Sequence, residues 1–391
     1  MFCDREKLFP RYIPGVLPHR EPQMRVLQGL FMEFLRRPGE TYQRVVQLLG
    51  PIGAGKTCTA NRFCLQYQRE AEEKGISLKY VHVNCKLEAR SSFTLYRTLL
   101  EMAAPEVASR GQSPGEMLRL LVDHLRSEGM YLLLVLDDVD YLIRRQKGEE
   151  PEGGVVYDLT RLNEMHLGEP GNVVGVIFIA RDEGFRDLLD PSEVSTLGSV
   201  VVRLSGYDAG QLWDILAARV EEAFRPGAVE EGIIGYVADL AAGKRHQPGD
   251  CRFALDILLT AGLIADDEQA DSVNLEHVRT AVGETYWGMS SEGLLALDEH
   301  SMAVLRGAIQ ALRFEKTPYV DLRTVHEFYK VSCETQELCS LSYSRVRELA
   351  MDLHHGGFID YQMERGIGIA GASLEDLSRI LSNLERRRDL V

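Results

Sequence analysis

The chain has 391 residues, with 59 acidic against 44 lysine and arginine residues and a formal charge of −15, a balance that excludes a protein coated in nucleic acid but allows a local basic face. No apolar run reaches the eighteen residues of a membrane span, and the opening Met1-Phe2-Cys3-Asp4-Arg5-Glu6-Lys7 is charged where a signal peptide needs an apolar core, so an intracellular protein that meets no membrane is expected. Seven cysteines scattered without a CxxC pair predict reduced, mostly buried thiols, and the length favours two or three domains.

The first strong element is the apolar run Val45, Val46, Leu48, Leu49, which reads as a strand. The pattern GxxxxGKT follows at Gly50, Pro51, Ile52, Gly53, Ala54, Gly55, Lys56 and Thr57, and then Cys58 to Ala71 continues without Gly or Pro as a helix. A glycine-rich turn joining a strand to a helix N-terminus presents backbone N–H groups to phosphate oxygens. Lys56 is placed to reach the β and γ phosphates, and the Thr57 hydroxyl to complete a Mg²⁺ shell. Gly50 through Cys58 are therefore candidate ATP/ADP-binding residues.

Leu78 to Val83 alternates as a second strand, and Leu95 to Met102 and Glu116 to Leu125 carry apolar residues at helical spacing. The run Tyr131 to Leu136 and the run Val173 to Ala180 are continuous, as in strands buried on both faces of a parallel sheet. Strand and helix in alternation predict a doubly wound α/β domain. Between the two runs, the Gly/Glu stretch Lys147 to Gly154 reads as an exposed loop tip. The strand ending at Leu136 runs into Asp137-Asp138-Val139-Asp140, which puts Asp137 in position for the Mg²⁺ shell and Asp138 for the carboxylate that orients the attacking water. From Tyr207 to about Thr285 helical periods take over, broken at Gly243 to Gly249, as in a small helical lid. Helical periods at His300 to Leu312, Val320 to Tyr329 and Ser344 to Leu353 precede a hairpin at Gly356 to Tyr361 and Gly366 to Ala370, the order of a winged helix.

Together these segments resemble the AAA+ ATPases and, within them, the archaeal and eukaryotic origin-recognition and cell-division-cycle replication initiators. Tyr12-Ile13-Pro14 with Leu17 to Glu21 is similar to that family's N-terminal segment, Tyr80 to Cys85 to its second strand, Tyr207 with Leu212, Ile215, Leu216 and Arg219 to its lid entry, and Gly249 to Asp256 to its second sensor. The resemblance covers nearly the whole chain. It implies an α/β P-loop AAA+ base at 1–205, an all-helical lid at 206–290 and a C-terminal winged-helix domain at 296–391. It also implies Val16, His19, Arg20 and Tyr207 beside the nucleotide base, and Arg252 pointing from the lid at the γ-phosphate. The partners it implies are double-stranded origin DNA, a replicative helicase and other initiator paralogues, in the cytoplasm at the nucleoid, or in the nucleus of a eukaryote.

Three positions depart from the family pattern. Asp138 stands where Glu is usual, and one methylene fewer withdraws the carboxylate by roughly 1.5 Å. The strand Val173 to Ala180 runs into Arg181-Asp182 instead of a polar first sensor, and Arg181 either meets the γ-phosphate as a cation or pairs with Asp182. Leu189 to Ser195 lacks the arginine finger. Lys56, Asp138, Arg181 and Arg252 are the candidate catalytic residues of a slow ATPase in which nucleotide acts mainly as a switch. For DNA, Tyr343, Ser344, Arg345 and Arg347 lie on the N-terminal half of the third winged-helix segment and Arg365 on the wing. Acids outnumber bases there, which keeps two alternatives open. One is a regulatory paralogue with weak DNA binding, the other a signalling-type P-loop NTPase whose winged helix packs inward.

Overall fold

A computed structural model describes residues 1–40, 42–146, 154–165, 171–243, 247–285 and 291–388. It divides into two compact units: Arg11–Ile215 with Ala242–Cys251, and Met1–Pro10 with Leu216–Ala241 and Arg252–Val391.

The first unit runs α1 Glu21–Arg36, β1 Arg44–Leu49, α2 Lys56–Glu73, β2 Leu78–Asn84, α3 Ser92–Ala103, α4 Pro114–Ser127, β3 Tyr131–Asp137, α5 Val139–Gln146, α6 Val155–Thr160, β4 Val173–Ala180, α7 Pro191–Leu197 and β5 Val201–Arg203. Its strands pair in parallel in the order β2-β3-β4-β1-β5. Because side chains alternate across a strand, each apolar run feeds two layers. Val46 and Leu48, Leu133 and Val135, and Ile177 and Ile179 pack with Leu27, Phe31 and Phe63 of α1 and α2. The residues between them, Leu132, Leu134, Leu136, Val176 and Phe178, pack with Leu95, Leu99 and Leu121 of α3 and α4. Both faces are covered, and β1 and β3 flank β4, with their carboxyl ends where a doubly wound sheet holds its ligand. Helix starts follow local chemistry: Ser91, Ser113 and Asp190 each close a capping box, with Thr94, Glu116 and Glu193 reaching back.

The chain continues through α8 Ala209–Ala223 into the helices α9 Glu231–Ala242, α10 Cys251–Asp267 and α11 Leu275–Thr285. Then come α12 Ser291–Leu295, α13 Glu299–Glu315, β6 Tyr319–Val320, α14 Leu322–Thr335, α15 Tyr343–His355, β7 Asp360–Gln362, β8 Gly366–Gly368 and α16 Leu374–Arg388. A three-stranded antiparallel sheet, β6-β8-β7, closes the winged helix. The helix expected from Val320 instead begins at Leu322. Tyr319 and Val320 pair with Gly368 and Ile367, and the Asp321 side chain accepts the Arg323 amide as N-cap.

Within the second unit the helical lid and the winged helix are joined by buried polar groups. Arg279, 2% exposed, donates from Nε to the Ile369 carbonyl at 3.0 Å and from Nη2 to the Thr317 carbonyl at 3.3 Å, and pairs with Glu276. The Tyr236 hydroxyl donates to the same Ile369 carbonyl at 3.2 Å, and Glu276 accepts the Leu374 amide at 2.8 Å. Hydrogen bonds from a charged group contribute about 1.5–3 kcal/mol each, and removing the donor strands a buried acceptor. Of the seven cysteines, Cys64, Cys85 and Cys333 are buried, Cys58 and Cys251 half-buried, and Cys3 and Cys339 exposed, so the expectation of mostly buried thiols holds for the core positions only. The loop Lys147 to Gly154 lies outside the described residues except for Gly154.

Candidate nucleotide site

The loop between β1 and α2 is held from three sides. Gly53 and Gly55 have φ of +72° and +81°, the left-handed region that a side chain makes costly. Space forbids one as well. A Cβ on Gly53 would lie 1.8 Å from Asp250 Oδ1, and one on Gly55 2.6 Å from the Tyr207 hydroxyl. Arg20, 3% exposed, donates from Nε and Nη2 to the Ala54 carbonyl at 3.1 and 2.8 Å, from Nη2 to the Ser205 carbonyl at 2.9 Å, and from Nη1 to the His19 carbonyl at 3.0 Å. Its guanidinium lies 3.8 Å from the Tyr207 ring centre. Burial draws the Arg20 pKa down from its ordinary value, and the adjoining Tyr207 works the other way. Cys251 N–H closes the set on the Gly53 carbonyl at 3.2 Å.

Lys56, the first residue of α2, folds back so that Nζ donates to the Gly50 and Pro51 carbonyls at 2.7 and 2.8 Å. The Thr57 hydroxyl donates to Asp137 Oδ2 at 2.6 Å, and the Asp138 amide to Asp137 Oδ1 at 2.9 Å. Burial opposes the charge on Asp137, yet His82 and Thr57 beside it prevail and hold its carboxyl below the usual range. Asp138 takes φ of +53°, and Asn84 Nδ2 donates to its Oδ2 at 3.4 Å. Asp140 is buried, its Oδ1 has no hydrogen-bond partner among the described residues, and burial followed by the neighbouring Asp138 charge raises its pKa. Arg181 is exposed at the end of β4 and acts electrostatically on Asp140, while the Asp182 carboxylate accepts the Gly184 amide at 2.8 Å.

The residues fit a nucleotide and its metal by their chemistry. The cradle at Gly53 and Gly55 is backbone that a Cβ would fill, and Thr57 and Asp137 offer paired hard oxygens of the kind Mg²⁺ takes. Among the described residues no group of three or more His, Cys, Asp or Glu forms a metal cage by itself, so the remaining oxygens of a Mg²⁺ shell would come from phosphate and water.

Other sequence candidates are placed differently. Val16 is 73% exposed. His19 bonds Asp214 Oδ2 through Nε2 at 2.7 Å. The Arg20 and Tyr207 pair sits against the loop backbone, so its visible task is to brace Ala54 and Gly55. Arg252, the second residue of α10, belongs to the second unit. His82 and Asp250 fall inside the segments Tyr80 to Cys85 and Gly249 to Asp256 without being site candidates in the sequence. For His82 the signal was its alternation with Tyr80 on β2; for Asp250 it was adjacency to a glycine.

On α15, Val346, Leu349, Ala350 and Leu353 are buried, whereas Tyr343, Ser344, Arg345 and Arg347 are exposed. Arg345 pairs with Glu348 one turn on. In the wing, Arg365 is ion-paired to Asp239 of α9, so its charge is spent on the lid.

A parallel sheet carrying this loop and an acidic strand end, followed by a helical lid and a winged helix, defines an AAA+ nucleotide-binding protein. Residues 39–189 match the AAA domain family, 213–283 the Cdc6 AAA+ ATPase-type lid domain and 292–386 the CDC6 C-terminal winged helix domain. The chain is 30% identical over 404 residues to ORC1-type DNA replication protein 2 of Sulfurisphaera tokodaii, covering 99% of this chain and 94% of that one. With ORC1-type DNA replication protein 1 of Aeropyrum pernix it shares 34% identity over 363 residues, 92% of this chain and 87% of the other. The crystal structure of Cdc6p from Pyrobaculum aerophilum superposes with a TM-score of 0.85 at 28% identity, covering 99% of both chains. The Aeropyrum pernix ORC1 protein in complex with DNA superposes at 0.63 with 29% identity, covering 100% of this chain and 99% of that one. The chain belongs to the ORC1/Cdc6-type replication initiators. That membership sets aside the signalling-type reading. Among the described residues no helix is long and apolar enough to cross a membrane.

Proposed function

We propose that the protein is an ATP-binding initiator that recognises origin DNA, helps recruit or load a replicative helicase, and uses slow hydrolysis as a switch. The observation that carries the nucleotide half is the Thr57–Asp137 contact across the ends of β1 and β3, beside a loop braced by Arg20, Tyr207 and Asp250. Lys56 would exchange its loop carbonyls for phosphate oxygens, and Thr57 and Asp137 would hold the metal, which would supply charge neutralisation at the phosphates. Asp138 is the carboxylate nearest in sequence to that role of orienting water, and its short side chain keeps turnover slow. Arg181 and Arg252 remain the proposed γ-phosphate cations. Mant-ADP titration of the parent and of Lys56→Ala tests the site: the variant is expected to lose at least tenfold in affinity, and equal binding would refute it. A turnover of several per second by the isolated chain would remove the switch.

For DNA, α15 presents Tyr343, Ser344, Arg345 and Arg347 on an exposed face, and the full-length similarity to an ORC1 protein seen in complex with DNA supports duplex binding here. Gel shift with intergenic DNA, comparing the parent with Arg345→Ala/Arg347→Ala, is the test, and equal, salt-insensitive, negligible binding would sink it. A regulatory paralogue with weak DNA affinity is the second reading, favoured by the Arg365–Asp239 pair and the charge of −15.

A further inference from the structure

Beside the acidic strand end lies a buried ring nitrogen that the nucleotide chemistry above does not use. His82 lies on the edge strand β2, two residues before Asn84, which is in register with Asp137. Val81 and Val83 face the α3–α4 layer, so His82 shares the opposite face with Leu78 and Tyr80, the face that packs on α2. This aims its ring at the Thr57–Asp137 contact. Nε2 is buried, has no hydrogen-bond partner among the described residues, and lies 3.6 Å from Asp137 Oδ2. Asp137 Oδ1 is already held by the Asp138 amide, while Oδ2 holds the Thr57 hydroxyl and retains a second lone pair. A buried ring nitrogen just beyond bonding distance of a carboxylate is costly to leave without a partner.

We propose that His82 is a positioning residue for Asp137, its Nε2–H donating to Oδ2 and holding the carboxylate plane for the Mg²⁺ shell. The inference rests on the nucleotide reading above. It acts at one remove from the ion, where loss of an outer-shell partner weakens metal affinity by about 10–100-fold. Its signature is therefore in the metal dependence of nucleotide binding, not in binding itself.

The test is mant-ADP titration of the full chain in EDTA and in Mg²⁺, with melting curves alongside. The parent is expected to bind more tightly in Mg²⁺. His82→Leu keeps the EDTA affinity within about twofold and loses about tenfold of the Mg²⁺ enhancement. His82→Gln, whose amide N–H takes the place of Nε2–H, restores most of it. His82→Phe, which keeps a ring and removes both nitrogens, gives the same loss as leucine and replaces it if leucine unfolds the edge strand. An unchanged Mg²⁺ enhancement in the Leu and Phe variants overturns the proposal. So does equal weakening in EDTA and Mg²⁺, which marks a structural role. A parent that binds mant-ADP in neither buffer removes the nucleotide reading itself, whereas unaltered variants of a binding parent remove only the role of His82.

Discussion

Two single residues at the nucleotide site carry opposite stability effects. Gly53 combines φ of +72° with a missing Cβ that would meet Asp250. Gly53→Ala is expected to cost about 1–3 kcal/mol of stability and to abolish mant-ADP binding; a variant that melts and binds like the parent would contradict the packing described. Asp140 is the reverse case. Its folded pKa lies above the ordinary aspartate value because of burial and then Asp138, so the folded state holds the proton more tightly than the unfolded one. Its contribution is therefore most favourable below the unfolded pKa and declines as pH rises through the folded value. Asp140→Asn should raise the melting temperature at pH 7 by about 2 °C, with the gain shrinking toward acid, and a gain that grows on acidification would reverse the assignment. The phosphate loop was legible as a pattern because Gly, Lys and Thr stand at fixed spacing along the chain. The brace was not, since Arg20, Tyr207 and Asp250 come from distant segments and only packing sets their bonds to Ala54 and their approach to Gly53.

Among the elements, α15 and the wing differ in what they offer DNA. The helix leaves Arg347 exposed and pairs Arg345 with the equally exposed Glu348, a surface pair worth about 0–1 kcal/mol and readily exchanged for phosphate. The wing's Arg365 is engaged with Asp239. Asp239→Asn is expected to strengthen duplex binding about two- to fivefold at low salt, with an added Arg365→Ala cancelling the gain. An effect of Asp239→Asn that survives loss of Arg365 would show that the pair is not its cause. Helix α15 was readable from its apolar spacing. The pairing of β6 was not, because a two-residue strand carries too little periodicity, and only its partners in β8 mark it as one.

For the molecule as a whole, two units with separate cores give nucleotide a selective effect on unfolding. Ligand at 1,000 times its Kd stabilises the state that binds it by about 4.1 kcal/mol. Excess ADP with Mg²⁺ should therefore raise the melting step of the Arg11–Ile215 unit, with a smaller change in any separate step of the other. Calorimetry showing equal shifts of two resolved steps would argue against ADP being held chiefly by the phosphate loop of the first. The order of base, lid and winged helix was legible along the chain because strand and helix signals change at Tyr207 and again near His300, whereas the lid-to-wing attachment was not, since Arg279 lies in an ordinary helical period. That attachment has a consequence for protein engineering. Arg279 and Tyr236 of the lid both donate to the Ile369 carbonyl, so a winged helix moved alone would be parted from the lid donors that fix it. Chimaeras meant to exchange DNA preference should cut upstream of α9 and move the lid helices and the winged helix as a single cassette.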